Sequence, residues 1–137
     1  MIREFTKNDY NTFMELSREF YNTTAVDHKI PDKNRTATFE ASVGNSPYAK
    51  GFIIECNGEV AGYCLISLTF SGEVCGLVVL VEELYIKEKF QGNGLGTECF
   101  SFIEDLYKDA KRFRLEVTRV NDGAIKLYTR LGYSEIA

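Results

Sequence analysis

The sequence predicts an α/β fold with a mixed, mostly antiparallel sheet and flanking helices. Three consecutive segments with strand-like apolar patterns are joined by short turns, which is typical of an antiparallel meander. A helix and another strand follow, and a strand, helix, strand crossover of this length favours parallel pairing. We expect one domain over residues 1–137, because 137 residues with 45% apolar content suit a single core and are too few for two ordinary domains.

The N-terminal part is expected to hold a strand and two helices. Residues 2–6 have strand character, and the spacing of Thr6 and Asp9 resembles a capping box ahead of a helix. That helix would place its apolar residues, Tyr10, Phe13, Leu16 and Phe20, on one face. Residues 22–47 are polar and irregular, with a second helix expected over residues 35–43.

The meander is predicted from residue 51 onward. Residues 51–56 and 60–68 flank Asn57-Gly58, which is the strongest signal for a two-residue hairpin. The second strand then turns at Ser71-Gly72 into a long strand over residues 73–87. The meander therefore ends directly before the segment that follows residue 87.

A glycine-rich segment follows the long strand and is expected to bind a phosphate group. Residues 91–96 read Gln-Gly-Asn-Gly-Leu-Gly and open a helix predicted over residues 95–110. A helix start presents unpaired N–H groups at the positive end of its dipole, and glycines keep side chains away from them. Thr97-Glu98 replaces the Lys-Ser/Thr pair of an ATP-binding loop, and Thr97 stands where a dinucleotide fingerprint needs glycine. Neither ATP nor NAD is favoured.

A second motif occupies the C-terminal part. Residues 112–117 alternate as a strand, which we expect to lie in parallel beside residues 82–87. Residues 121–133 follow as a helix that opens at Asn121 and is closed by Gly132. Asn121 and Tyr128 are seven residues apart, about two helical turns, so both can address one ligand from the same side.

The two motifs together resemble those of the Gcn5-related N-acetyltransferase (GNAT) superfamily. Gln91, Gly94 and Gly96 satisfy its acyl-coenzyme A signature, Gln/Arg-x-x-Gly-x-Gly/Ala, while Asn121 and Tyr128 match its second motif. The resemblance covers essentially the whole chain in element order. It implies an enzyme that uses acetyl-coenzyme A, with two neighbouring parallel strands that splay apart around the pantetheine arm.

The same resemblance implies roles for individual residues. Main-chain contacts to the coenzyme are expected from the strand, pyrophosphate contacts from the loop, and a hydrogen bond to the coenzyme arm from the last helix; these residues are Leu84, Tyr85, Ile86, Gln91, Gly92, Asn93, Gly94, Leu95, Gly96, Thr97 and Asn121. Tyr128 would act as the acid that protonates the departing sulfur. The alternative for Tyr128 is a core aromatic residue, because Leu127 and Leu131 could form the buried face of its helix.

Two adjacent carboxylates are candidates for the other half of the reaction. A protonated amine cannot attack until it loses a proton, so a carboxylate near the acceptor is required. Alternation along a strand predicts that Glu82 and Glu83 point to opposite faces, so only one can face the cleft. The resemblance favours Glu82 as the base and an adjacent acidic residue as a holder of a cationic acceptor; otherwise both only cap the exposed end of a strand.

The favoured function is transfer of an acetyl group from acetyl-coenzyme A to a primary amine of a small molecule or peptide by direct attack. The alternative is a non-catalytic acyl-coenzyme A-binding domain for sensing or scaffolding. Tyr21, Tyr48 and Phe90 are candidates to line an acceptor pocket, and roles as core or surface aromatic residues explain them equally well.

Partners and location are bounded by composition. The net charge of -4 speaks against nucleic acid, and the absence of a long apolar segment predicts a cytoplasmic protein without membrane contact. A single histidine and four cysteines without a Cys-x-x-Cys pattern support no metal site. The chain ends five residues after Gly132, where family domains usually add a strand, so a homodimer that covers this sheet edge is a further expectation.

Overall fold

The computed structural model describes residues 1–26, 28–117 and 121–134, which form a five-stranded sheet with the spatial order β1-β2-β3-β4-β5. The strands are β1 (Ile2–Glu4), β2 (Ala49–Cys56), β3 (Glu59–Ser71), β4 (Gly76–Ile86) and β5 (Arg112–Leu115). The first four pair antiparallel, and β4 and β5 pair in parallel. The predicted mixed, mostly antiparallel sheet is confirmed.

Helices cover both faces of this sheet. They are α1 (Tyr10–Phe20), α2 (Asp32–Val43), α3 (Leu95–Leu106) and α4 (Asp122–Arg130). Short 3-10 turns at Lys7–Asp9 and Glu88–Phe90 precede α1 and the glycine loop. The second helix begins three residues earlier than the sequence pattern predicted, with Asp32 in its first turn, where a carboxylate favours the positive end of the helix dipole. No helix in the described ranges is both long and apolar enough to cross a bilayer.

Alternating side chains of the central strands feed two hydrophobic cores. Phe52 and Cys64 belong to the core under α3, whereas Ile53 and Tyr63 belong to the core under α1 and α2. Each of these four side chains is fully buried. The sheet is therefore a rigid platform that separates an α3 side from an α1/α2 side.

β4 carries one extra residue relative to β3. Leu65 pairs with Glu83 and Ile66 pairs with Val81, so Glu82 has no counterpart on β3 and forms a β-bulge. Pairing is regular on either side of the bulge. The bulge therefore changes the direction of side chains only at this point of the strand.

β5 pairs with an earlier part of β4 than the sequence predicted. It pairs with Val78–Val81 rather than with residues 82–87. The reason is that β5 starts at the level of Leu77, whose carbonyl accepts from the Lys111 N–H at 2.8 Å, and has only four residues. The described parts of the two parallel strands pair no further than Val81, just before the bulge, and the end of β4 is left beside an opening.

Candidate active site

A cleft of about 530 Å³ lies beside the end of β4. Its walls come from the end of β4, the glycine loop with the start of α3, one side of α4, and the segment that follows α1. Most of the predicted coenzyme-binding residues line it: Leu84, Tyr85, Ile86, Gln91, Gly92, Gly94, Leu95, Gly96, Thr97 and Asn121. Tyr128 lines it as well, whereas Asn93, Glu82 and Glu83 are not among its lining residues.

The glycine loop presents bare backbone to this cleft. Gly92 and Gly94 have φ values of 82° and 75°, which side chains rarely adopt, and open space surrounds the position that a Cβ would take at either residue. Gly94 precedes α3, and its carbonyl accepts the first helical hydrogen bond, from Glu98. The N–H groups of residues 95–97 therefore lack an acceptor within the helix, which suits the phosphate groups of a coenzyme.

Gly96 has a different environment. A Cβ at this position would lie 3.0 Å from Cδ2 of Leu127 on α4. The missing side chain thus lets the first turn of α3 approach α4. This glycine shapes the cleft by helix packing in addition to exposing its backbone.

Two polar side chains of the loop hold the loop itself. Gln91 donates from Nε2 to the carbonyl of Ile86 at 3.0 Å, and Asn93 donates from Nδ2 to the carbonyl of Phe90 at 2.9 Å. Both bonds tie the loop to the chain just before it. The side chains of Gln91 and Asn93 therefore help to fix the shape of the loop.

The first residue of the α4 motif caps its helix. Oδ1 of Asn121 accepts from the Ala124 N–H at 3.2 Å, an N-cap interaction at the residue where the sequence pattern predicted the helix to open. Because the amide group also has two N–H donors, Asn121 can cap the helix and still donate into the cleft that it lines.

Tyr128 is both a core residue and a wall of the cleft. Its ring packs edge-to-face on Phe100, with 5.4 Å between ring centroids, against the core under α3. Burial, with a smaller contribution from Cys64 and Cys99, raises the pKa of Tyr128 to about 12. The phenol is therefore protonated at neutral pH and available as a hydrogen-bond donor.

The two adjacent carboxylates lie on the same face of the sheet, so the prediction of opposite faces is wrong. Leu65 and Ser67 alternate on the α1/α2 side of β3; Leu65 pairs with Glu83, and Ser67 Oγ donates to Oε2 of Glu82 at 2.8 Å. The bulge is the reason, because the extra residue interrupts the alternation that would have separated the two side chains.

Glu83 is held by two phenols that lie far away in sequence. The Tyr21 hydroxyl donates to Oε2 at 2.8 Å, and the Tyr63 hydroxyl donates to Oε1 at 2.7 Å. Tyr63 was missed because its position in an apolar strand makes it look like any core aromatic residue. Only the pairing register of β3 and β4, which puts Leu65 opposite Glu83, would have revealed it.

The three aromatic candidates for an acceptor pocket have different outcomes. Phe90 lines the cleft, and Tyr21 contacts Glu83. Tyr48 is 71% exposed immediately before β2 and is not among the lining residues of the cleft. Phe20, Thr23, Thr24 and Ala25 also line the cleft, although none of them was named individually as a candidate.

Comparison with known proteins agrees with this geometry. Residues 10–133 match the model of the acetyltransferase (GNAT) family. The chain belongs to this family. Thialysine N-epsilon-acetyltransferase of Mus musculus is 26% identical over 145 residues, which cover 98% of this chain and 84% of that protein. The protein is thus an N-acetyltransferase that takes its acetyl group from acetyl-coenzyme A and passes it to an amine, as predicted, and no comparison supports the non-catalytic alternative.

Solved structures of GNAT acetyltransferases share the fold. A possible acetyltransferase from Clostridium difficile 630 superposes with a TM-score of 0.84 at 17% identity, covering 100% of this chain and 91% of that one. The aminoglycoside N-acetyltransferase AAC(6')-Iy, in complex with a bisubstrate analogue, superposes with a TM-score of 0.80 at 17% identity, covering 100% of this chain and 92% of that one. The predicted splayed GNAT fold is confirmed.

Proposed function

We propose that acetyl transfer takes place in the cleft beside the end of β4, with acetyl-coenzyme A on the glycine loop and the amine on the α1/α2 side of the sheet. The observation that carries this proposal is the convergence of three features on one cleft. These are a bare helix start at Gly94, the end of β4 beyond its pairing with β5, and the hydroxyl-bearing side chain of Tyr128.

The donor is held mainly by backbone. The N–H groups at the start of α3 would take the pyrophosphate, because the helix dipole and the free donors both favour negative charge. Leu84, Tyr85 and Ile86 pair with β3 on one side and line the cleft, so their remaining backbone groups can pair with the amide groups of the pantetheine arm. Asn121 adds an amide donor.

Tyr128 stabilises the leaving group. Attack of the amine nitrogen on the thioester carbonyl forms a C–N bond, breaks the C–S bond and leaves a thiolate. A thiol has an ordinary pKa of about 8.5, below the value of about 12 for Tyr128. The phenol is therefore the weaker acid and stays protonated, and it stabilises the departing sulfur by donating a hydrogen bond.

The two carboxylates divide the work on the acceptor. Glu82 is exposed and accepts one side-chain hydrogen bond, from Ser67, so it can take the ammonium proton directly or through a water molecule. Glu83 is fixed by two phenols, which suits an anion that holds the ammonium in place. We assign Glu82 as the base and Glu83 as the acceptor anchor.

The acceptor we propose is a small cationic amine, with a peptide amine as the second candidate. Two similar proteins are named for a thialysine and for an aminoglycoside, which are small molecules with amino groups.

We also propose a single domain that acts in the cytoplasm without nucleic acid or membrane. A homodimer through the β5 edge completes the proposal, since an edge strand can pair with a second copy, and sedimentation would test it.

The test is coenzyme A release by wild-type protein and by Tyr128→Phe with thialysine, aminoglycosides, polyamines and peptides. Tyr128→Phe should lower kcat by on the order of 10²–10³ while acetyl-coenzyme A still raises Tm, because only the hydrogen bond donated to the developing charge is lost. Tyr133→Phe is the matched control: its ring also packs on Phe100, but its hydroxyl has no partner among the described residues and it does not line the cleft. Equal kcat values for the two variants would contradict the role of Tyr128.

A further inference from the structure

We infer that Tyr21 and Tyr63 are positioning residues that fix Glu83 for acceptor binding, and that Tyr21 makes the segment after α1 part of the acceptor site. The inference rests on the proposed role of Glu83 as the anchor of the acceptor ammonium. It assigns a function to two hydroxyl groups that the donor side of the reaction does not use.

The two hydrogen bonds engage both oxygens of one carboxylate. Tyr63 binds Oε1 at 2.7 Å and Tyr21 binds Oε2 at 2.8 Å. The last torsion of a glutamate is broad and easily rotated, so two donors on opposite oxygens restrict it where one would not. Each oxygen keeps a further lone pair, which an ammonium can use. No ion pair to Glu83 is seen within the described ranges, so its charge is not neutralised by a lysine or arginine there.

The two phenols differ in what holds them. Tyr63 is fully buried in the centre of the sheet, where it pairs with Tyr85 and touches the rings of Phe13 and Phe20. Tyr21 comes directly after α1, and the Arg35 guanidinium lies 5.1 Å from its ring centroid. Tyr63 is therefore a fixed part of the sheet, whereas the position of Tyr21 depends on the helices.

Arg35 links the placement of Tyr21 to α1 and α2. Its side chain is 7% exposed and donates to Ser17 Oγ at 3.0 Å and to the Ile30 carbonyl at 3.1 Å. Those bonds hold the guanidinium against the Tyr21 ring. The contacts run without interruption from α2 through Arg35 and Tyr21 to Glu83 on β4.

The segment that follows Tyr21 is a wall of the cleft. Thr23, Thr24 and Ala25 line it together with Phe20, which precedes Tyr21. The hydrogen bond from Tyr21 to Glu83 therefore ties this wall to β4 at the residue proposed to hold the acceptor. Both phenols stay protonated, because burial and the neighbouring Glu83 charge raise the pKa of Tyr21 and that of Tyr63. They can act only as donors to the carboxylate at any pH where catalysis is measured.

The test compares KM values for the acceptor and for acetyl-coenzyme A in phenol-to-phenylalanine variants. Tyr21→Phe should raise the acceptor KM by about tenfold, the usual size of a lost hydrogen bond to a charged group. The KM for acetyl-coenzyme A and the Tm increase that it causes should stay unchanged. Tyr10→Phe is the matched control, because its hydroxyl also forms a side-chain hydrogen bond to another element, at 2.8 Å from Thr36 Oγ1 on α2, and has no part in the proposed site.

A double-mutant cycle gives a second readout. If Tyr21 acts through Glu83, Tyr21→Phe combined with Glu83→Gln should raise the acceptor KM no further than Glu83→Gln alone. Tyr63→Phe should behave in the same way and carries the same prediction if Tyr21→Phe fails to fold. Additive effects, or equal acceptor KM values for Tyr21→Phe and Tyr10→Phe, would overturn the inference while leaving the proposed function intact. A wild-type protein that releases no coenzyme A with any acceptor would overturn both.

Discussion

The donor side and the acceptor side that we propose are built from different parts of the chain. The donor side consists of backbone: a helix start after Gly94 and the end of β4. The proposed acceptor side lies next to the cleft and consists of side chains, with Glu82 and Glu83 on β4 held by Ser67 and by two distant phenols. A backbone site needs only the correct order of elements and a few glycines. A side-chain site needs the exact strand register as well.

The largest effect is expected from Gly94→Val, which should abolish donor binding. A β-branched residue at a φ of 75° is strained, and its side chain would stand at the helix start where the phosphate is expected. In wild-type protein, acetyl-coenzyme A at a hundred times its Kd should add about 2.7 kcal/mol to the free energy of unfolding. A thermal melt with and without acetyl-coenzyme A measures the loss of that increase.

Gly58→Val is the control for backbone strain. Gly58 has a φ of 81° in the hairpin between β2 and β3, with open space around its Cβ position and no place in the cleft. This variant should lose stability and keep the increase in Tm with acetyl-coenzyme A. If both variants kept that increase, the donor would not bind at the glycine loop, and the contrast between the two sides would be lost.

A smaller effect, confined to the acceptor, is expected from the two glutamates. Glu82→Gln should lower kcat/KM by about 10² or more at low pH, where little free amine exists, and by less as pH rises and solution deprotonates the substrate. Glu83→Gln should mainly raise the acceptor KM, in a manner that weakens at high salt through screening. Steady-state kinetics across pH and ionic strength measures both.

If Glu83→Gln showed the pH-dependent loss of kcat/KM and Glu82→Gln showed the raised acceptor KM, the roles assigned to the two glutamates would be exchanged. A change in the acetyl-coenzyme A-dependent Tm for either glutamate variant would break the separation of donor and acceptor sides. Both outcomes are informative, because the bulge puts the two carboxylates on one face of the sheet, where each can reach the same acceptor.

The last effect appears only at alkaline pH and concerns the Tyr128 phenol. The pKa of Tyr128 is about 12 in the folded protein against 10.0 for an ordinary tyrosine. A raised folded-state pKa means that stability is complete below pH 10 and falls as pH rises from 10 towards 12, by about 1.4 kcal/mol per pH unit for this group. Denaturation by urea at several alkaline pH values should show a shallower decline for Tyr128→Phe. The same slope in both proteins would mean that the Tyr128 phenol is not desolvated by folding.

The sequence allowed the elements of the proposed donor side to be predicted. The glycines at 92 and 94, the helix after them and the cap at Asn121 are local features, and the structure places nearly all of them around one cleft. The acceptor side was predictable only in composition. Neither the bulge nor the partners of Glu83 has a local signature, because the bulge depends on how β3 and β4 align, and Tyr63 and Tyr21 lie 20 and 62 residues away from Glu83 in sequence. The segment of β4 with which β5 pairs could not be predicted either, since the short length of β5 is decided by tertiary pairing.

Glu82 is one extra residue that the sheet accommodates as a β-bulge. Val81 and Glu83 already face consecutive residues of β3, so removing Glu82 would close the gap and leave the pairing above and below it unchanged. Loss of a residue from the regular part of β4 would instead turn a whole stretch of the strand inside out. A chain of this design can therefore gain or lose a carboxylate at this position by the insertion or deletion of one residue, without rebuilding its core.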